Sequence, residues 1–462
     1  MQFDIITIGG GFSGLVTACR ASELGLKAAV LEARTEDRYP CSSRWSTGVF
    51  GVMGISLMNP PEILAEAILD GTGGTAKPEL ARAVAQNARR AHDWLVQAGA
   101  RFELRGALTQ SQHMMAPPRR LDIGGLDWDG RGADLLMQRL EVKLRQGGGQ
   151  VLRGTRAEAL IVEHGACAGV MAGRERFDAK AVVIADGGFA ANRAMIARYI
   201  TPRADRVLTR VGPGAMGEGI AMAEATGAAI GGFGAFYGHI HHKDAMTNAA
   251  LWPYPHFDAL ASASILVGPD GRRFADEGLG GVYLANAIAR LDDPLSGFIV
   301  FDEAMWRGAP GHAGPAAINP ILQESGGWLF DAPDLAGLAA KAGLPAAPLV
   351  ETVRQYNEAV ASGRFDSLPV PRSARPHQPL PIATPPFYAA PLCAGVTGTM
   401  GGVEIDAHAQ ALRRDGGSFP GLYAVGTPVA HLEGGPRAGY VGGLCKGFVL
   451  ALLAAEHAAS VR

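Results

Sequence analysis

The period of the apolar positions changes several times along this chain, and the first change is the sharpest. Ile5, Ile6, Thr7 and Ile8 form a short apolar and β-branched run, the pattern of a strand buried on both faces. The run breaks into Gly9-x-Gly11-x-x-Gly14. An amphipathic stretch follows, and a second apolar run, Ala28 to Leu31, ends in Glu32. Strand, glycine turn, helix, strand and acid in this order predict a dinucleotide-binding unit. Gly9 permits the tight turn, Gly11 lets backbone approach a pyrophosphate, and Gly14 lets the helix lie close on the strand. The helix N-terminus offers unpaired N–H groups and its positive dipole end to phosphates. Glu32 is placed to accept hydrogen bonds from a ribose diol.

Beyond Glu32, Arg34 to Gly51 reads as a loop. Its hydroxyls at Ser42, Ser43, Ser46 and Thr47, beside the small Gly48, suit phosphates and the polar edge of a flavin. From about Pro60 to Gly148 apolar residues recur at helical spacing (Leu64 and Ile68; Leu80, Val84, Ala91 and Leu95), with Pro61 and Pro78 at helix starts. After Gly147-Gly-Gly149, short runs from Gln150 through Ala157 to Met171 predict an antiparallel meander. It returns through a buried strand at Ala181 to Ala185 and exits at Asp186-Gly187-Gly188. Gly212 to Gly219 opens a short helix and reads equally as a second nucleotide turn or a plain tight turn.

The stretch 229–372 changes character. It carries Phe236, Tyr237, His239, His241, His242, Trp252, Tyr254 and His256, then an Asp-Gly hairpin between Ser264 and Phe274. His239-x-His241-His242 has no carboxylate or cysteine at a convincing ligand spacing, so no metal is expected. The end returns to the opening style, with a strand closing on Gly426 and the glycine-rich Gly434 to Gly443 leading into a terminal helix. The expected organisation is a dinucleotide-binding domain from 1–228, an inserted cap from 229–372, and a return segment from 373–462.

Composition narrows the partners. A length of 462 residues suggests two domains, and Gly 63 without a fixed period points to many tight turns. Net charge is -2 with no basic run, so nucleic acid is not expected. Five scattered cysteines make no CxxC pair, which argues against an iron–sulfur or zinc site and suits a reducing compartment. The first strand begins near Met1 and the apolar run Gly447 to Ala455 is too short to span a bilayer. A cytoplasmic location without a membrane span is the expectation.

Taken together, these stretches resemble the flavoprotein family of fumarate reductase, succinate dehydrogenase and ketosteroid dehydrogenase, in order and over nearly the whole chain. Gly9-x-Gly11-x-x-Gly14 with Glu32 is similar to its FAD fingerprint, Asp186-Gly-Gly-Phe189 to its TGGF turn, and Gly214 to Gly219 to its GATGDG turn. Gly271-Arg-Arg-Phe274 with Glu277 is similar to its GKRFxxE hairpin. Pro385-Pro-Phe-Tyr388, Met400-Gly-Gly402 and Gly421 to Gly426 are similar to its return segment. The resemblance implies an α/β fold, a Rossmann-like FAD-binding domain with an inserted α+β capping domain, and an active site where cap meets flavin. It implies FAD contacts at Gly9, Gly11, Phe12, Ser13, Gly14, Glu32, Ala33, Arg34, Ser42, Ser43, Ser46, Thr47, Gly48, Ala157, Ala185, Asp186, Gly187, Gly426, Thr427, Gly442, Gly443 and Leu444. No histidine in Ser42 to Gly51 matches the family's covalent anchor, so the FAD is expected to be non-covalent.

The implied chemistry is hydride transfer between flavin N5 and a C–C bond alpha,beta to a carboxylate or carbonyl of a small molecule, with an unknown electron acceptor or donor. His239 falls near a substrate-binding histidine of the family and Arg437 beside a substrate-binding arginine. There are departures. Thr397 and Gly398 stand where fumarate reductases carry a His-His pair, Leu279-Gly-Gly-Val-Tyr283 where their catalytic arginine stands, and Thr427 where a flavin-loop acid is usual. Fumarate or succinate chemistry is therefore not expected. Tyr283 and Tyr440 become the acid, base or carbonyl-holding candidates. A tricarballylate-dehydrogenase-like role is one concrete version, a ketosteroid-type ketone desaturase the alternative, and a flavin-binding electron-transfer protein without substrate chemistry a third. The Gly214 turn belongs to the flavin domain by resemblance, which leaves no nicotinamide site.

Overall fold

A computed structural model describes residues 1–105, 112–120, 122–308 and 318–461. The elements that position the site are, in chain order, β1 (Gln2–Ile8), α1 (Phe12–Glu23), β2 (Ala28–Glu32), β3 (Gln150–Arg153), β4 (Glu175–Ile184), β5 (Phe236–His242), α2 (Asp258–Ala263), β6 (Ile265–Val267), α3 (Gly281–Ala289), β7 (Phe298–Asp302), β8 (Phe387–Thr399), β9 (Ser418–Ala424) and α4 (Gly443–Ser460).

Five of these strands form a parallel stack in the order β9-β4-β1-β2-β3. Ile5 stands opposite Ala28 on one side and Ala181 on the other, while Tyr423 pairs with Val183. The inner strands are buried on both faces, which is why they read as continuous apolar runs rather than alternating ones. Helices α1 and α4 cover the sheet side by side, with Phe12 and Phe448 edge to face at 5.1 Å. An aromatic pair of this kind adds about 1 kcal/mol to its area burial. The C-terminal ends of β1, β4 and β9 deliver Gly9, Asp186 and Gly426 to one crevice, where ligands bind in open α/β sheets.

A second sheet is built around β8, whose thirteen residues pair antiparallel with β5 and β7; β6 in turn pairs with β7. Its core also draws on residues 189–220 and 389–396, so chain on either side of the middle stretch shares it. The helical expectation for residues 60–148 holds for Pro61–Gly71, Pro78–Gln97 and Gly132–Gln146. Between them Phe102–Arg105 pairs with Gln112–Met115, an interruption too short to shift the helical pattern around it. No helix among the described residues is long and apolar enough to cross a membrane.

Candidate active site

One continuous cleft runs from the β1 turn to the second sheet, in two parts of about 340 and 460 Å³ that share Phe12, Ser13, Ser42, Ser43, Val211 and Thr397–Thr399 on their walls. The first part is the dinucleotide groove. Gly11 precedes α1 without a side-chain cap, which leaves first-turn N–H groups facing the groove. The Glu32 carboxylate is fixed by the Gly10 N–H at 2.9 Å and the Arg34 N–H at 2.8 Å.

The loop after Arg34 is held firmly. Tyr39 donates to the Gly10 carbonyl at 2.6 Å, and fully buried Arg44 pairs with Asp134 and donates to the Tyr39 carbonyl at 3.1 Å. Ser43 accepts from the Phe12 N–H at 2.9 Å. On the opposite wall Asp186 accepts from the Gly219 N–H at 2.8 Å, and burial pushes its carboxyl up to about 7.

Of the residues expected at the cofactor, Gly9, Gly11, Phe12, Ser13, Glu32, Ala33, Arg34, Ser42, Ser43, Ala157, Ala185, Asp186 and Gly187 line the first part. Ser46, Thr47, Gly48, Gly426, Thr427, Gly442, Gly443 and Leu444 line the second. Gly14 lies behind the groove, where a Cβ would run into the Gly9 carbonyl oxygen; its role is close helix–strand packing. Among the described residues the Ser46 hydroxyl, the Trp45 indole N–H and Asp186 Oδ1 are buried without a partner. A groove with glycine walls, a positive helix end, a ribose-facing acid and such orphaned polar atoms fits FAD.

The second part of the cleft carries chemistry that sequence spacing did not signal. Arg210, from the turn after the strand Leu208–Thr209, donates to Thr397 Oγ1 at 3.0 Å and to the Pro253 carbonyl at 2.9 Å. Arg119 donates to the Trp45 carbonyl at 3.0 Å, while its Nε and Nη2, like Arg210 Nε, are buried without a partner among the described residues. Neither guanidinium forms an ion pair among these residues, and burial lowers both, Arg119 to about 10. Thr397, read in the sequence as a departure from a His-His pair, thus serves as an acceptor for Arg210.

The same part of the cleft carries an aromatic and imidazole wall. Tyr237 and Tyr440 stack at 3.7 Å between ring centroids, and the Tyr440 oxygen accepts from the Gly443 N–H at 2.7 Å. His239 contacts Tyr237 Oη through Nε2 at 3.0 Å and Asp258 through Nδ1 at 2.6 Å. His256 stacks on His239 at 4.5 Å, and burial pushes its imidazole down to about 3. Asp258 is opposed by burial, but His256 and His239 outweigh it and hold the carboxyl well below the usual range.

Of the four residues expected to act on substrate, His239 and Tyr440 line this cavity; Tyr283 and Arg437 do not. Arg437 sits on a turn closed by the Gly434–Gly439 bridge and reaches outward to Asp70 at 3.2 Å. Tyr283 packs against the second core, and its neighbour Val282 takes the face toward Tyr237 and Tyr440. Asp258 brings a carboxylate to His239 and His256, a grouping within 4.8 Å that the His239-x-His241-His242 spacing did not announce.

Comparison with known proteins accounts for the groove. The family described as FAD binding domain matches residues 4–439, and the chain belongs to it. It is 28% identical to the NADH:acrylate oxidoreductase of Vibrio harveyi over 80% of this chain and 36% of that one. It is 26% identical to the NADH:fumarate oxidoreductase of Klebsiella pneumoniae (strain 342) over 95% of this chain and 46% of that one. The chain thus spans less than half the length of these two curated relatives. Among solved structures, the 3-ketosteroid delta1-dehydrogenase from Sterolibacterium denitrificans superposes with a TM-score of 0.77 at 20% identity, over 100% of both chains. That likeness is one of fold.

Proposed function

We propose that this FAD-binding chain is an oxidoreductase acting on a C–C bond alpha,beta to a carboxylate, as a dehydrogenase or as an enoate reductase. The observation that carries the reading is the pair of buried arginines beside the flavin end of the cleft. Arg119 and Arg210 are 4% and 8% exposed and make no ion pair among the described residues. A buried cation without a counter-charge is costly, and an incoming anion relieves that cost. Guanidinium groups match carboxylates in shape as well as charge. Acrylate and fumarate, named in the two curated relatives, are both alkenes conjugated to a carboxylate.

Bound FAD supplies the two-electron acceptor or donor. The chain's part is to hold the carboxylate on Arg119 and Arg210, orient the C–C bond and move a proton. Trp45, Trp252 and Tyr254 line the same space and give it an apolar and aromatic body. The electron partner belongs to the proposal only as a class, a donor or acceptor. The Tyr237–Tyr440 stack, lining the same cavity as the arginines, favours a second reading in which a ketone oxygen is held there.

The test is an anaerobic titration of the yellow protein with saturated di- and tricarboxylates and, separately, with cyclic ketones. Bleaching of the flavin by a carboxylate supports the proposal. Bleaching by ketones alone transfers it to the second reading. Full reduction by dithionite, with no bleaching by any compound and no reoxidation of the reduced flavin by the corresponding unsaturated compounds, overturns both.

A further inference from the structure

We propose that Tyr237 is the group that moves the substrate's proton, with His239 and Asp258 behind it as positioning residues. This inference rests on the carbon-acid chemistry of the preceding reading and names the residue that performs it. Tyr237 and His239 both come from β5 and both line the cavity. Asp258, at the start of α2, is anchored by the Ile240 N–H at 2.9 Å and reaches His239 Nδ1 at 2.6 Å. Gly281 makes room for it, because a Cβ there would overlap the Asp258 carboxyl group. On its far side His239 meets the Tyr237 hydroxyl at 3.0 Å. The Tyr237 ring is stacked on Tyr440 at 3.7 Å and packs, with Val282, against the small cluster of Ala235, Met400 and Ala438.

Hydroxyl, imidazole and carboxylate in line form the arrangement that activates a weakly acidic O–H. An ionised Asp258 keeps the proton on His239 Nδ1, so Nε2 accepts from the Tyr237 O–H. The charged and titratable groups around the chain are Arg210, Tyr254, Tyr440, His241, His256 and His377. Burial and then Arg210 hold His239 below its ordinary value against the pull of Asp258, which leaves a neutral imidazole ready to receive a proton. The same grouping could be imagined to share a cation. Both nitrogens of His239 are already committed, however, and Arg210 is close enough to repel one.

In the direction that forms the double bond, the C–H bond alpha to the carboxylate breaks and its proton goes to the Tyr237 oxygen. The original Tyr237 proton passes to His239 Nε2, giving an imidazolium held by Asp258. The beta C–H bond breaks with its electron pair, which bound FAD would take up as hydride, and the pair left at the alpha carbon becomes the new π bond. Reduction of an alkene runs the same transfers backward.

Two carbon acids test the relay without requiring turnover, the nitro group taking the place of the carboxylate that activates the alpha C–H: 3-nitropropionate, which carries a further carboxylate for the arginines, and nitroethane, which does not. The FAD-loaded protein in D2O is mixed with each, and exchange of the C–H beside the nitro group is followed by NMR, with binding read from the flavin absorbance. Wild-type protein is expected to accelerate exchange of both. Tyr237→Phe and Asp258→Asn are expected to lower it about 100-fold or more, the usual worth of a positioned acid or base, while FAD content and 3-nitropropionate affinity hold. Tyr283→Phe, outside the cavity, is expected to keep the wild-type rate.

The pH profile separates relay from mere structure. Wild-type exchange should fall only as pH drops through the lowered His239 value. Asp258→Asn should move that limb further down, since the carboxylate that favoured imidazolium is gone. Wild-type exchange rates in Tyr237→Phe overturn the proposal, as does a wild type that accelerates exchange of neither probe. Failure of 3-nitropropionate to bind, with nitroethane exchange still dependent on Tyr237, contradicts the carboxylate reading and supports the relay.

Discussion

Arg210→Met is the substitution whose outcome the site determines most closely. The guanidinium is buried, has two neutral acceptors, Thr397 Oγ1 at 3.0 Å and the Pro253 carbonyl at 2.9 Å, and has one N–H without a partner. Methionine fills much of the same volume and removes the charge. In the free protein the two acceptors lose donors, at about 1 kcal/mol each. Relief from burying an unpaired cation offsets that loss, so folding stability should change by less than about 2 kcal/mol. In the complex the change is much larger. Truncating one partner of a buried, hydrogen-bonded charge pair costs about 2–5 kcal/mol, so carboxylate Kd should rise about 30-fold or more. The assay is titration of flavin absorbance with a dicarboxylate, beside a thermal melt. Unchanged carboxylate affinity with an unchanged melt would refute the reasoning, since no other consequence of the substitution could hide the effect.

Other expectations follow from the same geometry. Burial holds Arg119 at about 10, so the cationic form that binds a carboxylate is lost as pH rises through that value; carboxylate Kd measured on the alkaline side should climb there. His256 titrates in the fold at about 3, below an ordinary histidine. The unfolded chain therefore takes up a proton between about pH 6.5 and 3 that the fold refuses, and stability falls as pH drops through that window by about 1.4 kcal/mol per pH unit. Denaturant melts at stepped pH check the slope. Arg437→Ala should leave substrate affinity within about twofold, because its exposed pairing with Asp70 is worth at most about 1 kcal/mol and lies outside the cavity.

What the sequence made legible follows from how local each feature is. The β1 turn, α1 and Glu32 lie within thirty-odd residues, and every one of their roles is expressed in neighbouring residue types. The hydroxyls of the Ser42–Thr47 loop could be read the same way. Arg119 and Arg210 could not. One follows Pro117-Pro118 and the other precedes a glycine turn, and only the tertiary fold brings both to Tyr254. Asp258 is equally hidden, since it meets His239 across nineteen residues through the start of a short helix.

Tyr283 shows the opposite error. Its place at the end of Leu279-Gly-Gly-Val-Tyr283 makes it a candidate in the sequence, but a helix turns about 100° per residue. That rotation gives Val282 the face toward the Tyr237–Tyr440 pair and sends Tyr283 into the second core. Arg437 went astray in a similar way, since a tight glycine turn decides which side of the chain its side chain leaves from.

The central claim, that Arg119 and Arg210 select a carboxylate at the flavin, is tested most directly by comparing one carbon skeleton in two charge states. A saturated dicarboxylate that bleaches the flavin anaerobically should be set against its dimethyl ester under identical conditions. The two have the same C–C bond and differ in the charge that the arginines would hold. Rapid bleaching by the acid is expected, with bleaching by the ester slower by about 100-fold or more, the effect of losing both charge-assisted contacts. Equal rates for acid and ester would contradict the claim.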